Sequence, residues 1–162
     1  MVFRLPKMND EEIGRLIREQ AFCRIAFRGS KHPYIAPFQY VYIDGALYFH
    51  FTKYGKKINL LERDRRVCVE VESFKPDLSE YSFVVMRGSL ERVKNPEERA
   101  RAIRRMAEDG RQRLSENFLA AHGLRKEDGW SALSPEKPLV IVKLTEITET
   151  VGLKSPEAPM NV

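Results

Sequence analysis

Metal-ligand spacing, nucleophile motifs and nucleotide fingerprints are all missing from this sequence. Its three histidines, His32, His50 and His122, are scattered. No spacing sets two of them beside a cysteine or carboxylate, as a metal site requires. There is no G-x-S-x-G, no G-x-G-x-x-G and no P-loop, which disfavours a zinc enzyme, a serine hydrolase and a Rossmann oxidoreductase. Cysteine is scarce: Cys23 and Cys68 stand far apart and outside any C-x-x-C pattern. Two reduced, buried thiols in a cytosolic protein are expected. No apolar run approaches the roughly 18 residues of a membrane span. The opening MVFRLPKMNDEE has no signal-peptide apolar segment, so a cytoplasmic location is expected. Repeats, low-complexity tracts and Gly/Ser-rich linkers are absent as well.

What is present suits one globular unit. The 162 residues are 43% hydrophobic and 31% charged, a balance that can build a sizeable core. One domain is expected over 1–154, with a Pro-rich tail over 155–162. Lys and Arg number 28 against 23 Asp and Glu, giving +5. Such a balance permits an anionic partner without naming one. Most of these charges read as surface ion pairs.

Asn9 followed by Glu12 predicts a capped helix start, with Ile13, Leu16 and Ile17 on one face. From Phe22 the period changes to that of strands, over 22–27 and 34–43. Asp44-Gly45 is a hairpin turn leading to a returning strand over 46–51. A short helical segment over 52–62 precedes strands over 67–74 and 81–93, the latter bent at Gly88. Asn95-Pro96-Glu97-Glu98 starts a helix whose inner face carries Ala102, Ile103 and Met106. A further helix is expected over 112–121 and a last strand over 139–151. The elements describe a mainly β fold, a barrel of about six antiparallel strands with peripheral helices.

The chemistry concentrates between Tyr34 and Leu61. A strand ends at Phe51 and a helix begins near Tyr54-Gly55, so free amides and a positive dipole end create an anion site. Thr52 adds a hydroxyl, and Lys53, Lys56 and Lys57 add charge. Tyr34, Phe38, Tyr40, Tyr48 and Phe49 offer a flat apolar surface for a ring system. Phosphate at one end and a planar ring at the other is the outline of flavin mononucleotide. The plainer interpretation is a solvated basic loop, with core aromatics and His50 as a hydrogen-bonded structural histidine. Residues alone stop at a soluble β-barrel with a candidate anion site.

The order Pro33-Tyr34, Pro37, Tyr40 to Tyr42, Asp44-Gly45, Leu47 to His50 and Gly55-Lys56-Lys57 resembles the FMN-binding split-barrel proteins related to pyridoxamine 5′-phosphate oxidase. The branch containing nitroimidazole-resistance proteins is the most similar. A second match runs from Val84 or Val85 through Gly88 to Val93, and the likeness spans residues 11–107. It implies a split barrel that binds FMN and transfers hydride or electrons to a small-molecule substrate. Lys56 and Lys57 would hold the phosphate. Pro37, Phe38 and Gln39 would lie along the isoalloxazine ring, and His50 would approach from its strand end. Family members usually carry a hydroxyl residue directly after the histidine; here Phe51 intervenes and the hydroxyl is Thr52. A homodimer with flavin at the subunit interface is implied, with Trp130 as a candidate contribution to the partner's site or a packing residue. The Arg-rich C-terminal motif of true vitamin B6 oxidases has no counterpart in TETVGLKSPEAPMNV. The alternatives are a non-enzymatic flavin- or haem-binding protein, a deazaflavin in place of FMN, and a nucleic-acid-binding barrel. Against the last, the arginines of 101–105 are interleaved with acids.

Overall fold

The computed structural model describes residues 2–157; of the expected tail, 158–162 lie outside the described residues. Helix α1 (Asp10–Glu19) begins at the capping box. Asn9 Oδ1 accepts the Glu12 amide at 2.9 Å, and the Glu12 carboxylate accepts the Asn9 amide at 2.8 Å. Leu16 and Ile17 are its buried face. Strands β1 (Phe22–Phe27) and β2 (Tyr34–Gln39) follow, then β3 (Val41–Ile43) and β4 (Ala46–Phe51). The turn between β3 and β4 is left-handed at Asp44 (φ 50°) and Gly45 (φ 81°), as a two-residue hairpin of this kind requires. The predicted 34–43 strand is therefore two strands. Tyr40 breaks it, because its amide binds Ala21 O at 3.1 Å and its hydroxyl donates to Ile17 O at 2.6 Å. That bonding to the end of α1 raises the strand count from six to seven.

Helix α2 (Lys56–Arg63) leads to β5 (Arg66–Phe74) and β6 (Tyr81–Arg92), and β7 (Val140–Lys154) closes the described chain. All seven strands form one antiparallel sheet in the order β2-β1-β5-β6-β7-β4-β3. Its two edges, β2 and β3, are consecutive in sequence and separated by Tyr40 alone. A single intervening residue leaves the two strand ends at most about 7 Å apart, so the sheet has to curl until its edges meet. No ladder joins them, and the barrel is split there. Strand β7 serves two neighbours: Val140–Lys143 face β4, and residues from Val142 onward face β6. The β6–β7 register shifts between Arg87 and Ser89. A Cβ on Gly88 would lie 2.6 Å from Thr145 O, which is why the predicted bend needs glycine.

Strand β4 is buried on both sides. Leu47, Phe49 and Phe51 join the barrel interior, whereas Tyr48 belongs to a second apolar cluster outside it. That outer layer is built by helix α3 (Pro96–Arg113) and by 3₁₀ turns at Glu116–His122 and Trp130–Ala132. Asn95 caps α3 as predicted, and Ala102, Ile103 and Met106 are fully buried. Arg99 ties the following loop down by donating to Pro135 O and Leu139 O, both at 3.0 Å. The expected 112–121 helix is not continuous. Helix α3 ends at Arg113, and the Ser115 hydroxyl accepts the Asn117 amide at 3.2 Å to start a new turn. A serine that bonds the local backbone in this way competes with helix continuation.

Candidate functional site

The start of α2 differs from the other helix starts. Helices α1 and α3 have asparagine caps and acids in their first turns, but α2 has Gly55 as N-cap with no side-chain cap, and no acid in its first turn. Its first two residues are Lys56 and Lys57 instead. Positive charge at the positive end of a helix dipole is unfavourable by roughly 0.3–1 kcal/mol per charge. An anion seated there would reverse that sign and occupy the free amides. Gly55 sits at φ 96° with nothing within 4 Å of where a Cβ would be, so the approach is open. Thr52 shapes the turn by donating to Tyr54 O at 2.7 Å.

A cavity of about 480 Å³ adjoins this helix start, lined by Lys31, His32, Gly55, Lys56, Asn59 and Arg63 among others, with no carboxylate in its wall. Among the described residues, Lys31, Lys56 and Arg63 form no ion pair. A larger cavity, about 740 Å³, lies on the outer side of the sheet beside Arg28, Arg66 and Arg87. Its cations already have acidic partners: Arg66 and Arg28 share Asp64 at 2.9 and 3.6 Å, and Arg87 meets Glu149 at 3.0 Å. The smaller cavity is the better anion site. Its residues fit a phosphate, since amides, lysines and an arginine converge there without a competing acid.

The two lysines face different surroundings. Lys56 Nζ lies 4.5 Å from the Tyr34 ring centroid on the cavity side. Lys57 Nζ lies 4.8 Å from the Phe38 ring centroid, and burial pushes its pKa down. Phe38 in turn stacks on Phe51 at 4.9 Å. Pro37 is exposed on β2, an edge strand whose far side has no ladder partner. Proline is tolerated at such an edge, and main-chain groups beside it remain available to a ligand ring.

Gln39 and His50 are buried and meet through His122. His50 Nδ1 lies 3.2 Å from His122 Nδ1, and His122 Nε2 lies 2.8 Å from Gln39 Oε1. Gln39 Nε2 donates to Met106 O at 3.0 Å. Burial pushes the pKa of His50 down to about 4 and that of His122 to about 3, with the Lys57 charge adding to both. Both rings are neutral at physiological pH. The only sequence signal for this arrangement was strand alternation, which sets His50 opposite Phe49 and Phe51. Nothing local pointed to His122, 72 residues further along.

The remaining expectations divide. Tyr34 and Phe38 border the site, whereas Phe49 is wholly inside the barrel core. Tyr40 and Tyr48 are buried and hydrogen-bonded elsewhere, Tyr48 to Glu98 Oε1 at 2.7 Å. Those three are packing residues. Trp130 is buried within its own chain, edge-on to His122 and pressed against Gly110. Cys23 is buried as expected, while Cys68 is only half-buried. On α3, Arg101 pairs with Asp44 and Arg105 with Asp109, both at 2.9 Å, which supports the ion-pair reading of the charges.

The family described as pyridoxamine 5′-phosphate oxidase matches residues 9–147. No curated protein matches the chain. Among solved structures, a FAD-binding protein from Mesorhizobium loti superposes with TM-score 0.67 at 19% identity, covering 95% of this chain and 98% of that one. The FAD-binding protein from Mycobacterium smegmatis gives 0.60 at 16% identity, covering 92% and 97%. A proposed 5-nitroimidazole antibiotic resistance protein from Bacteroides thetaiotaomicron gives 0.62 at 18%, covering 95% and 92%. At these identities the likeness establishes the fold. No described helix is long and apolar enough to cross a membrane.

Proposed function

Because the chain belongs to the pyridoxamine 5′-phosphate oxidase family, by the match of residues 9–147, we propose that it binds FMN and acts as an oxidoreductase on a small substrate. The observation that carries this reading is the uncapped start of α2, where Lys56 opens onto an acid-free cavity and Lys57 follows it beside Phe38. Lys56 and Lys57 hold the phosphate from the two sides of the helix start, and the amides after Gly55 complete the cradle. Lys31 and Arg63 add charge from the cavity wall. Pro37, Phe38 and Gln39 flank the isoalloxazine ring along the open edge of β2, and His50 stands beside it. FAD binding by two structural neighbours supports a flavin here.

When bound, the flavin supplies hydride or electron transfer. The chain's own residues orient it, screen it from water behind Phe38 and keep His50 neutral. The reading extends to a cytoplasmic homodimer with the flavin between subunits. The outer side of β6 and β7, where Ile147 is 47% and Val151 36% exposed, offers a partner apolar surface.

The test compares FMN with riboflavin, which lacks the phosphate. Charge-assisted hydrogen bonds are worth roughly 1.5–3 kcal/mol, so Lys56→Ala or Lys57→Ala weakens FMN about ten- to a hundredfold. Riboflavin affinity barely changes, and Lys53→Ala affects neither. Equal weakening of both ligands would show that the lysines support the fold and not the phosphate. A haem-like Soret band in the purified protein would replace the flavin altogether.

A further inference from the structure

The hydrogen-bond chain behind His50 determines where its proton sits. Met106 O can only accept, so the Gln39 amide must direct Nε2 to it and Oε1 to His122. His122 Nε2 therefore carries the hydrogen, and a neutral imidazole has only one. His122 Nδ1 is then a bare lone pair, 3.2 Å from His50 Nδ1. His50 Nδ1 has to donate, which leaves His50 Nε2 bare. Among the described residues, Trp130 Nε1 is the one buried side-chain polar atom both sealed from solvent and without a partner. Among the described residues His50 Nε2 also has no partner and is not sealed, so it keeps access to the outside although the residue is only 6% exposed.

We infer that Gln39 and His122 are positioning residues that lock His50 as the Nδ1–H tautomer and present its Nε2 as a hydrogen-bond acceptor to an N–H or O–H donor of the bound ligand. A ligand edge that offers a carbonyl at that position meets lone pair against lone pair and is disfavoured. The arrangement selects for donor-bearing edges such as an imide N–H or a hydroxyl. Choosing FMN as the probe ligand rests on the flavin reading above; the tautomer pattern does not.

The test is nitrogen–proton correlation NMR of the full chain labelled with ¹⁵N-histidine, at neutral pH, without and with FMN. The unliganded protein shows His122 protonated at Nε2 and His50 at Nδ1. Saturating FMN shifts the His50 Nε2 resonance toward a hydrogen-bonded value. His122→Gln can keep both bonds, donating to Gln39 and accepting from His50, so His50 keeps its tautomer in that variant. His122→Leu removes both bonds, mixes the His50 tautomers and weakens FMN about three- to tenfold, in line with one neutral hydrogen bond. Protonation of His50 at Nε2 in the unliganded wild type, or an Nε2 resonance unmoved by bound FMN, overturns the inference. Failure of FMN to bind, read separately from flavin absorbance, overturns the flavin reading and the ligand assigned to Nε2, while the unliganded spectrum still judges the relay.

Discussion

Acidification from pH 7.5 to 5.0 perturbs the His50–His122 pair without any mutation. Both histidines have folded pKa values well below the unfolded value of about 6.5, about 4 for His50 and about 3 for His122, because burial disfavours the charged ring. Above pH 6.5 the rings are neutral in both states, and stability does not depend on them. Below it the unfolded chain takes up protons that the folded chain refuses, so stability falls by about 1.4 kcal/mol per pH unit for each histidine. By pH 5.0 the loss is about 2 kcal/mol per ring and at most about 4 kcal/mol for the pair. Glu70 opposes it, since burial raises its pKa and its carboxyl gains a proton more readily in the folded state. Carboxylates held low by partners act only at lower pH; Glu98 beside Lys143 is one, and Glu12 beside Lys154 is another. Urea unfolding at the two pH values reads the difference directly. His122→Gln, which cannot titrate, should lose about half of the histidine contribution while leaving that of Glu70 in place. The same pH dependence of stability in the wild type and in His122→Gln would refute the reasoning, as would folded-state NMR showing either ring protonating near pH 6.5.

Gly110→Ala should destabilise the protein, because its Cβ would lie 2.2 Å from the Trp130 ring. Overpacking costs roughly 1–3 kcal/mol and outweighs the roughly 1 kcal/mol that alanine gains in a helix. Thermal melting checks this, and in a Trp130→Leu background, where the clash is relieved, Gly110→Ala should cost much less than it does in the wild type. The thiols should differ: Cys23, buried and with its pKa pushed up by burial, reacts slowly with thiol reagents, while half-buried Cys68 labels faster in the folded state. Equal, rapid labelling of both would contradict the placement of Cys23. If the flavin lies between subunits, light scattering should report a dimer that persists on dilution with FMN bound; a monomer with full flavin occupancy would contradict that arrangement.

Much of the fold was legible because its signals are local. The Asn9–Glu12 and Asn95–Glu98 helix starts and the Asp44-Gly45 turn each arise within a few residues of chain. The Gly55-Lys56-Lys57 helix start was legible for the same reason. Its free amides and misplaced positive charge follow from sequence order alone. Other features were decided only by tertiary structure. Tyr40 looked like one more strand residue until its bonds to Ala21 and Ile17 broke the strand and forced the sheet to close. Tyr48 and Phe49 looked like ring-binding candidates, but burial makes them packing residues. Lys31 reaches the α2 cavity from the loop after β1, and His122 reaches His50 across 72 residues. The physical reason is distance along the chain. Capping and turn formation depend on neighbours a few residues away, whereas a proton relay or a charged cavity exists only once packing has brought remote side chains within hydrogen-bonding and Coulombic range.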